Sequence, residues 1–504
     1  MTATSRISPT ERVFRLLAGV PGLFFLILGI GFMAFPDLLA AALSVEPAYA
    51  PGVNTMRSDF GGLFLGMSFF SLLGATTGRR RWLSVPMVFL LFIVAGRLIG
   101  FSQDGPSSTG MRFLLVELTL LALLTVSTVV LSLKEGSIEE RLKLSELLNL
   151  KTLIGAVVVA AILGSLLLSQ RSVGMALVER MAGRNMSGDV LAGLPDGLHV
   201  GLCGSGAPLP DPRRASPCVA VIAGRDLYVV DVGPSSERKM ELMRLNPGRV
   251  KAVFLTHFHS DHIGDLGELL LKRWTGGSHN SPLVVFGPAG VETVVEGFNR
   301  AYTPDSEYRV LHHGPEIVPP TGAGGLAKPF QFPPGQREVV LIEAEGFKVT
   351  AFEVDHAPVK PAVGYRFDYK GRSVVISGDT VPSPALRKQA GGADLLVQEA
   401  LQPSMVGILR EQAQKANRSN TAKILGDIMQ YHTSPEEAAK MAEEAGVGHL
   451  LLTHIVPPLP ASNLKAAFLG DACKYYQGPI TIGEDGMLLS LPAGGKQILQ
   501  RSLL

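Results

Sequence analysis

The sequence has almost no excess of charge of either sign. Lysine and arginine number 46 against 44 aspartates and glutamates, which gives a formal net charge of +2 over 504 residues. A protein that binds nucleic acid usually carries a marked basic excess on one face. The charge balance therefore gives no sign of such a face and argues against RNA as a substrate. The sequence also contains no visible internal repeat.

Cysteine is scarce as well, with only Cys203, Cys218 and Cys473 in the whole chain. In an oxidising compartment Cys203 and Cys218 could bridge two neighbouring strands. Buried free thiols at the same two positions fit the sequence equally well. Cysteine usage alone therefore leaves the disulfide open.

Hydrophobic residues, by contrast, are abundant at 46% of the chain, with a mean hydropathy of +0.27. The excess lies in five apolar stretches at 15–35, 60–75, 82–101, 113–133 and 153–168. Most approach the ~20 residues that a helix needs to cross a bilayer, although 60–75 is short and rich in glycine. A cleaved signal peptide is the alternative for the first stretch, but its apolar core is long and further spans follow. The sequence therefore predicts about five transmembrane helices in the lipid bilayer.

Basic residues are distributed unevenly among the loops that join these stretches. They cluster before the first span, between the second and third, and between the fourth and fifth, as Arg6, Arg12, Arg15, Arg79, Arg80, Arg81, Arg141, Lys143 and Lys151. Short loops rich in lysine and arginine remain in the cytoplasm. The pattern predicts a multi-pass inner-membrane protein whose N-terminus is cytoplasmic. Everything after the fifth span would face the periplasm or the exterior.

The densest group of potential metal ligands lies at residues 257–262, in the order His-Phe-His-Ser-Asp-His. It follows an apolar run at 253–255 that is typical of a buried strand. A loop at the end of such a strand can direct the first two imidazoles to one cation and the Asp-His pair to a second. A fortuitous histidine-rich tract would lie in polar surroundings instead. The motif therefore favours a site for two zinc ions.

Four further polar residues, Asp231, His356, Asp379 and His454, each stand at the end of an apolar strand. Together with 257–262 they form five motifs whose order resembles that of the metallo-β-lactamase superfamily, from about residue 200 onward. The resemblance implies that Asp231 supports the metal loop without binding metal. It also implies a C-terminal α/β fold, an αββα sandwich of two mixed sheets flanked by helices, and the interleaved strands and helices fit that architecture.

The resemblance further implies ligands for two zinc ions, with other divalent transition metals as the alternative. The first ion would be held by His257, His259 and His356, the second by Asp261, His262 and His454, and Asp379 would bridge both. This ligand set leaves an open position on each ion, as catalytic sites do. A hydroxide bridging the two ions would be the nucleophile, so hydrolysis is the implied reaction class.

Within the superfamily, the C-terminal part resembles the branch that contains ribonuclease Z and arylsulfatase. The Gly-rich segment 202–206 and the His-Thr-Ser box that begins at His432 are similar to motifs of that branch. Ribonuclease Z has a His-Glu-Ala-Thr box whose histidine donates a proton to the leaving group. Here that box begins at Gln398, which cannot titrate and is followed by Glu399. The proton would then come from His432 or Glu399, or a good leaving group would depart unaided, which argues against tRNA 3′ processing.

The sequence thus predicts an N-terminal all-α transmembrane bundle at 1–170, a tether at 171–198 and a hydrolase domain at 199–504. The expected function is that of a membrane-anchored dinuclear zinc hydrolase acting outside the cytoplasm on a small-molecule phosphodiester or an aryl sulfate or phosphate ester. The expected catalytic residues are Asp261, Asp379, His432 and Glu399.

Other functions remain open at this point. Ribonuclease Z-like endoribonuclease, lactonase and thioesterase activities are alternatives on the same metal core. A membrane sensor or scaffold that binds a ligand without turnover is an alternative of another class. The complete ligand set favours the enzyme, because a binding relic has no reason to keep all seven residues.

Overall fold

The computed structural model describes residues 9–43, 50–104, 108–135, 170–187, 190–344, 346–461 and 463–504. The chain divides into two compact units, Met1–Arg180 and Met181–Leu504. The domain boundaries predicted at residues 170 and 198 stay predictions.

The described part of the first 187 residues is helical. Its elements are α1 (Pro9–Ala34), α2 (Pro36–Ala42), α3 (Ala50–Thr55), a π-helical turn (Met56–Gly61), α4 (Gly62–Thr77), α5 (Ser84–Asp104), α6 (Ser108–Glu135) and α7 (Gln170–Ser187). Helix α1 lies close to α4 because glycines face that contact. A Cβ on Gly22 would lie 2.8 Å from Leu72 Cδ2, and one on Gly29 would lie 2.7 Å from Leu65 Cγ. Small residues at helix contacts are typical of membrane helices.

Among the described residues, four helical stretches are long and apolar enough to cross a membrane, namely Arg12–Ala34, Gly52–Thr77, Arg80–Phe101 and Gly110–Leu131. They coincide with the first four predicted spans. The fifth predicted span, 153–168, lies outside the described residues. The N-terminal region therefore has the helical, membrane-compatible character that the sequence predicts.

An ion pair joins α5 to α6 inside two of these candidate spans. Arg97 Nε donates to both carboxylate oxygens of Glu117, at 3.0 and 2.8 Å. A charged side chain in apolar surroundings is costly unless an opposite charge accompanies it. The pair therefore favours one relative register of these two helices.

The C-terminal unit is built on two β-sheets. Its strands are β1 (Gly197–Gly204), β2 (Cys218–Ala223), β3 (Asp226–Val230), β4 (Val250–Phe254), β5 (Leu283–Pro288), β6 (Gly325–Phe330), β7 (Glu338–Ala344), β8 (Phe347–Glu353), β9 (Val363–Tyr369), β10 (Arg372–Ile376), β11 (Leu395–Leu401), β12 (Leu450–Val456), β13 (Ile480–Ile482), β14 (Met487–Pro492) and β15 (Leu499–Ser502). One sheet has the order β15-β14-β1-β2-β3-β4-β5-β6 and the other β13-β12-β11-β10-β9-β8-β7.

Helices connect these strands and cover the outer faces of both sheets. They are α8 (Ser236–Leu242), α9 (Ser260–Ile263), α10 (Leu266–Gly277), α11 (Val291–His313), α12 (Pro384–Ala390), α13 (Pro403–Lys415), α14 (Ser419–Asp427), α15 (Pro435–Ala445), α16 (Leu464–Leu469) and α17 (Ala472–Tyr475). The helix predicted at 435–445 and the strands predicted at 349–354 and 373–376 correspond to α15, β8 and β10.

Alternating strand side chains supply separate cores. Those facing inward, such as Val221, Phe254 and Val397, pack between the two sheets. Outward-facing residues pack under α8, α10 and α11 on one side and under α12 and α15 on the other. Fully burying one such side chain contributes about 1.5–3 kcal/mol. The arrangement is the αββα sandwich expected from the sequence, so the predicted fold class is confirmed.

Cys203 and Cys218 form a disulfide that joins β1 to β2, with their Cα atoms 5.0 Å apart. These strands are antiparallel neighbours, which brings the two thiols face to face. Cys473 is exposed and unbridged. Of the two alternatives that the sequence left open, the structure has the bridge.

The carboxyl ends of several strands meet at one edge of the sandwich. Strands β3 and β4 run parallel in one sheet, and β10, β11 and β12 run parallel in the other. Asp231 follows β3, the 257–262 motif follows β4, Asp379 follows β10, and His454 lies near the end of β12. In α/β proteins ligands bind outside such strand ends.

Candidate metal centre

The 257–262 motif forms a tight turn that begins where β4 ends. His257 and His259 precede α9, while Asp261 and His262 lie within that short helix and are buried. Between the two leading histidines, Phe258 packs instead with the core beneath α11. Successive side chains of an extended segment point to opposite sides, so Phe258 points to the core while His257 and His259 point the other way.

The first group of potential ligands consists of His257, His259, His356 and Asp379. One nitrogen or oxygen atom from each lies within 4.8 Å of the others. The Nε2 atoms of His257 and His356 each lie 3.9 Å from Asp379 Oδ2. Three imidazoles and a carboxylate at this spacing are a ligand set that suits zinc.

The second group consists of Asp261, His262 and His454, again within 4.8 Å of one another. The Nε2 atoms of both histidines lie 3.3 Å from Asp261 Oδ2 and 3.3 Å from Asp379 Oδ2. Asp379 Oδ2 therefore stands between the two groups. The structure brings together all seven residues that the sequence proposed as ligands, and their role as ligands stays a prediction.

The unpaired atoms at the centre fit bound cations. The Nε2 atoms of His262 and His356 are buried and have no hydrogen-bond partner among the described residues. Buried polar atoms are nearly always paired, and buried carboxylates need a nearby positive charge. Asp261 and Asp379 are both buried here. Metal ions would satisfy the two nitrogens and both carboxylates at once.

Burial lowers the pKa of two of the candidate histidine ligands, and nearby charge lowers the pKa of the candidate bridging carboxylate. Burial lowers the pKa of His257 well below its usual value and that of His356 to about 4, which keeps both imidazoles neutral as metal ligands must be. Burial alone would raise the pKa of Asp379, but neighbouring His454 and His262 hold that pKa well below its usual value. Asp379 is therefore ionised and available to bridge.

His454 reaches the centre through an irregularity in β12. Thr453 pairs with Glu399 and Ile455 pairs with Ala400, so His454 is an extra residue on its strand. Its φ of 49° lies in the left-handed region, which residues with a side chain rarely adopt. Bulges of this kind redirect a side chain and are common beside active sites. The backbone strain at His454 is thus explained by the direction of its imidazole.

Asp231 fixes the orientation of the metal loop. Its Oδ1 accepts from the Thr256 backbone N–H, and its Oδ2 accepts from the Thr256 hydroxyl and from His262 Nδ1, all at 2.8 Å. The Thr256 hydroxyl in turn lies 3.1 Å from His257 Nδ1. One carboxylate therefore sets the ring orientation of one ligand in each group. This is the supporting role expected for Asp231.

Replacing Asp231 with alanine should weaken metal binding by about 10- to 100-fold, since both rings would lose their orienting partner. Competition against a chelator of known affinity would measure the change in the full-length protein. Asp226→Ala is a suitable control because Asp226 lies at the other end of β3 and is half exposed. Equal metal affinity in the two variants would contradict this role of Asp231.

His432 and Glu399 form a buried pair beside the ligands. Glu399 Oε1 accepts from the Thr433 backbone N–H at 2.7 Å, and Oε2 lies 3.3 Å from His432 Nδ1. Burial would lower the pKa of His432, but the Glu399 carboxylate raises it to about 9. One ring nitrogen of His432 also lies within 4.8 Å of Asp379 and His454 ligand atoms. A protonated imidazole at this position can donate to a leaving group.

A helix start holds this pair in place. Ser434 caps α15: its hydroxyl accepts from the Glu437 N–H at 3.2 Å, and Glu437 Oε2 accepts from the Ser434 N–H at 2.9 Å. Pro435 occupies the first turn. Such a capping box fixes the direction in which the chain enters the helix. His432 lies two residues before Ser434, so the capping box also fixes the backbone that carries His432.

Gln398 does not belong to this pair. Neighbouring strand residues point to opposite faces, and Leu396 and Ala400 pack on the outer side of β11, so Gln398 faces away from Glu399. Its amide oxygen and nitrogen are buried without a hydrogen-bond partner among the described residues. The sequence linked position 398 to the proton donor, whereas the structure places Glu399, and not Gln398, beside His432.

The sequence did not predict two groups that orient the candidate histidine ligands. Thr256 links Asp231 to His257, and its place directly before the histidine motif was the available signal. The Tyr431 carbonyl oxygen lies 3.1 Å from His356 Nδ1 and orients that ring. A backbone acceptor leaves no trace in residue type, so the sequence offers no signal for Tyr431.

Comparison with known proteins gives an independent assignment. The sequence profile of the "Metallo-beta-lactamase superfamily" matches residues 211–424. Ribonuclease Z of Mycobacterium avium (strain 104) is 35% identical over 290 residues, which are 57% of this chain and 96% of that protein. Ribonuclease Z of Mycobacterium sp. (strain KMS) is 36% identical over 293 residues, which cover 57% of this chain and 94% of the relative.

Two solved structures also align with part of the chain. A metallo-β-lactamase fold protein from Bacillus subtilis covers 58% of this chain and 99% of its own, at 22% identity and a TM-score of 0.41. Human tRNase Z, short form, gives the same identity, coverage and TM-score. The sequence relatives decide the assignment: the chain belongs to the metallo-β-lactamase superfamily, as a metal-dependent hydrolase of ester bonds whose relatives include ribonuclease Z.

Proposed function

We propose that the protein is a membrane-anchored dinuclear zinc hydrolase that cleaves a phosphodiester or an aryl sulfate or phosphate ester outside the cytoplasm. The observation that carries the proposal is the position of Asp379 Oδ2, which lies 3.3 to 3.9 Å from ligand nitrogens of both groups. A shared carboxylate between two three-residue groups is the arrangement of a two-metal hydrolytic site.

Two zinc ions held by these groups would acidify a water molecule toward neutral pH and stabilise the charge that develops on the attacked ester. The other tasks belong to the side chains. Asp261 and Asp379 would hold the ions through their carboxylate oxygens and would orient the attacking water. His432 donates a proton to the leaving oxygen from its ring nitrogen. Glu399 is the positioning residue that orients His432 and keeps it charged.

The relatives bear on which ester is cleaved. Identity of 34–36% to proteins named ribonuclease Z supports a phosphodiester as the bond. The small net charge of +2 gives no support for an extended nucleic-acid surface. A small phosphodiester is therefore the first candidate, and an RNA phosphodiester is the second.

A screen on the full-length protein would separate these candidates and the alternative of a non-catalytic sensor. An aryl phosphodiester, an aryl sulfate, a lactone, a thioester and a tRNA precursor would be offered at equal concentration, with Asp379→Ala as the inactive control. We expect turnover of the aryl phosphodiester to exceed that of the lactone and thioester. Turnover confined to the tRNA precursor would favour the RNA candidate. Absence of turnover on every substrate by the metal-loaded protein would contradict the proposed enzyme.

The location outside the cytoplasm is supported by the loop charges and by the Cys203–Cys218 disulfide, since such bonds persist mainly in oxidising compartments. Alkaline phosphatase fused after Gly193 should therefore be active in cells, and the same enzyme fused after Glu135 should be inactive. Equal expression of both fusions, checked by immunoblotting, is the control. The reverse pattern would place the hydrolase domain in the cytoplasm.

A further inference from the structure

A cavity of about 650 Å³ lies between α10 and α11, and it shares no residue with the metal centre. The wall on α10 runs from Gly267 to Trp274, and the wall on α11 runs from Phe298 to Leu311. The volume falls in the range of pockets that hold small organic ligands. The cavity is therefore large enough for a ligand of its own.

The two helices approach closely at Gly267. A Cβ at that position would lie 2.3 Å from Tyr302 Cε2 and 2.9 Å from Phe298 Cδ1. The absence of a side chain lets the aromatic rings of α11 lie directly on α10. The cavity extends from this contact towards the end of α11, where Leu311 lines it and is 81% exposed. Leu311 therefore marks an opening to solvent.

The cavity is lined mainly by apolar surface, and two of its deeper polar side chains are already paired. Trp274 is fully buried, and its Nε1 donates to the Pro319 carbonyl oxygen at 2.7 Å. Asn299 Nδ2 donates to the Gly325 carbonyl oxygen at 2.9 Å, and Asn299 Oδ1 accepts from the Gly325 N–H at 2.8 Å. A ligand would therefore meet hydrocarbon and aromatic surface, which favours an alkyl chain.

The charge at the rim of the cavity favours certain head groups on a ligand whose alkyl chain lies inside. Glu307 is the charged residue among those that line the cavity, and it lies on the exposed side of α11. A carboxylate at the rim repels an anionic head group and favours an ammonium or an uncharged group. The charge therefore opposes a fatty acid and fits an alkyl amine, an alkyl alcohol or an ethanolamine lipid.

We propose that this cavity binds the alkyl chain of an amphiphile whose head group is cationic, zwitterionic with an ammonium, or uncharged. Helices that can cross a membrane in the same chain make acyl chains of a bilayer one source of such a ligand. A free long-chain molecule is the other source. The proposal does not rest on the hydrolytic reaction, because no ligand residue of the metal centre lines the cavity.

Trp274 supplies the probe, since the chain contains only two tryptophans, Trp82 and Trp274. The full-length Trp82→Phe protein would be placed in nanodiscs, and quenching of Trp274 fluorescence by bromine on an alkyl chain would be measured. In one arm the bromine is on the acyl chains of phosphatidylethanolamine in the nanodisc. In the other arm brominated dodecylamine, dodecanol or dodecanoic acid is added to nanodiscs of ordinary lipid. If Trp82→Phe does not fold, the difference between the wild type and Trp274→Phe gives the same signal.

We expect quenching in at least one arm, and the arm identifies the source of the chain. In the second arm the amine and the alcohol should bind at least about tenfold more tightly than the acid, and Glu307→Gln should reduce that difference. Ser306→Phe, which fills the cavity, should weaken binding by about tenfold or more. Arg300→Phe is the matched control, because Arg300 is exposed on the same helix and does not line the cavity.

Two outcomes would overturn the proposal. The first is the absence of Trp274 quenching in both arms. The second is quenching that Ser306→Phe leaves unchanged, or that Arg300→Phe lowers to the same extent, because the alkyl chain would then lie outside the cavity.

Discussion

Replacing Asp379 with alanine should lower turnover by about 10³- to 10⁴-fold, the largest loss expected from any single change in the protein. Asp379 Oδ2 lies 3.3 to 3.9 Å from nitrogens of both groups, so under the proposal its removal would take a ligand from each ion and leave the positive charges of both less compensated. Losing several kcal/mol of stabilisation in the transition state corresponds to a loss of this size. Steady-state rates and metal content would be measured on the same full-length preparation.

Asp427→Ala is the matched control for Asp379→Ala. It also removes a carboxylate, but Asp427 is half exposed and pairs with Lys423 on the surface of α14. Exposed ion pairs of this kind contribute ~0 to 1 kcal/mol, so the control should retain full activity. Full turnover and unchanged metal content in Asp379→Ala would contradict the bridging role.

Replacing His432 with alanine should slow the hydrolysis of esters with poor leaving groups by about 10²- to 10⁴-fold, while esters with good aryl leaving groups change little. The reason is that a weakly acidic leaving oxygen needs a proton as its bond breaks, whereas a substituted phenolate departs unaided. Rates for a series of substituted phenyl esters measure this directly. The dependence of rate on leaving-group acidity should be steeper in His432→Ala than in the wild type.

The variant Glu399→Gln tests the His432–Glu399 pair through the pH dependence of the hydrolysis rate. With the carboxylate present, the pKa of His432 is raised to about 9, so the imidazole stays protonated below that pH and loses its proton above it. Without the carboxylate the pKa of His432 falls, and the rate on poor leaving groups should decline at a lower pH than in the wild type. Gln398→Met, on the opposite face of β11, should leave both the pH profile and the leaving-group dependence unchanged. An effect of Gln398→Met equal to that of Glu399→Gln would contradict the assignment of the pair.

The seven candidate ligands could be picked out from the sequence because each lies in a short motif beside an apolar strand. The histidine-rich turn after β4, the aspartate after β10 and the histidine in β12 are read from contiguous residues. The αββα architecture followed from the resemblance that these motifs carry. The convergence of strands far apart in the chain on one edge of the sandwich then brought the seven residues together.

The features of the site that the sequence could not predict depend on the pairing register of the strands and on backbone atoms. The bulge at His454 becomes visible only when Thr453 and Ile455 are seen to pair with consecutive residues of β11. The same register decides that Glu399, and not Gln398, faces His432. The Tyr431 carbonyl that orients His356 belongs to the main chain, so residue type carries no information about it.

Metal content of the purified full-length protein is the most direct test of the central claim that seven side chains form one two-metal hydrolytic site. Elemental analysis after exposure to zinc and removal of the excess should give close to two ions per chain. Chelation should abolish turnover, and zinc should restore it as the second ion binds. A protein that binds no metal under these conditions, or that hydrolyses its ester at the full rate after both ions are removed, would contradict the account.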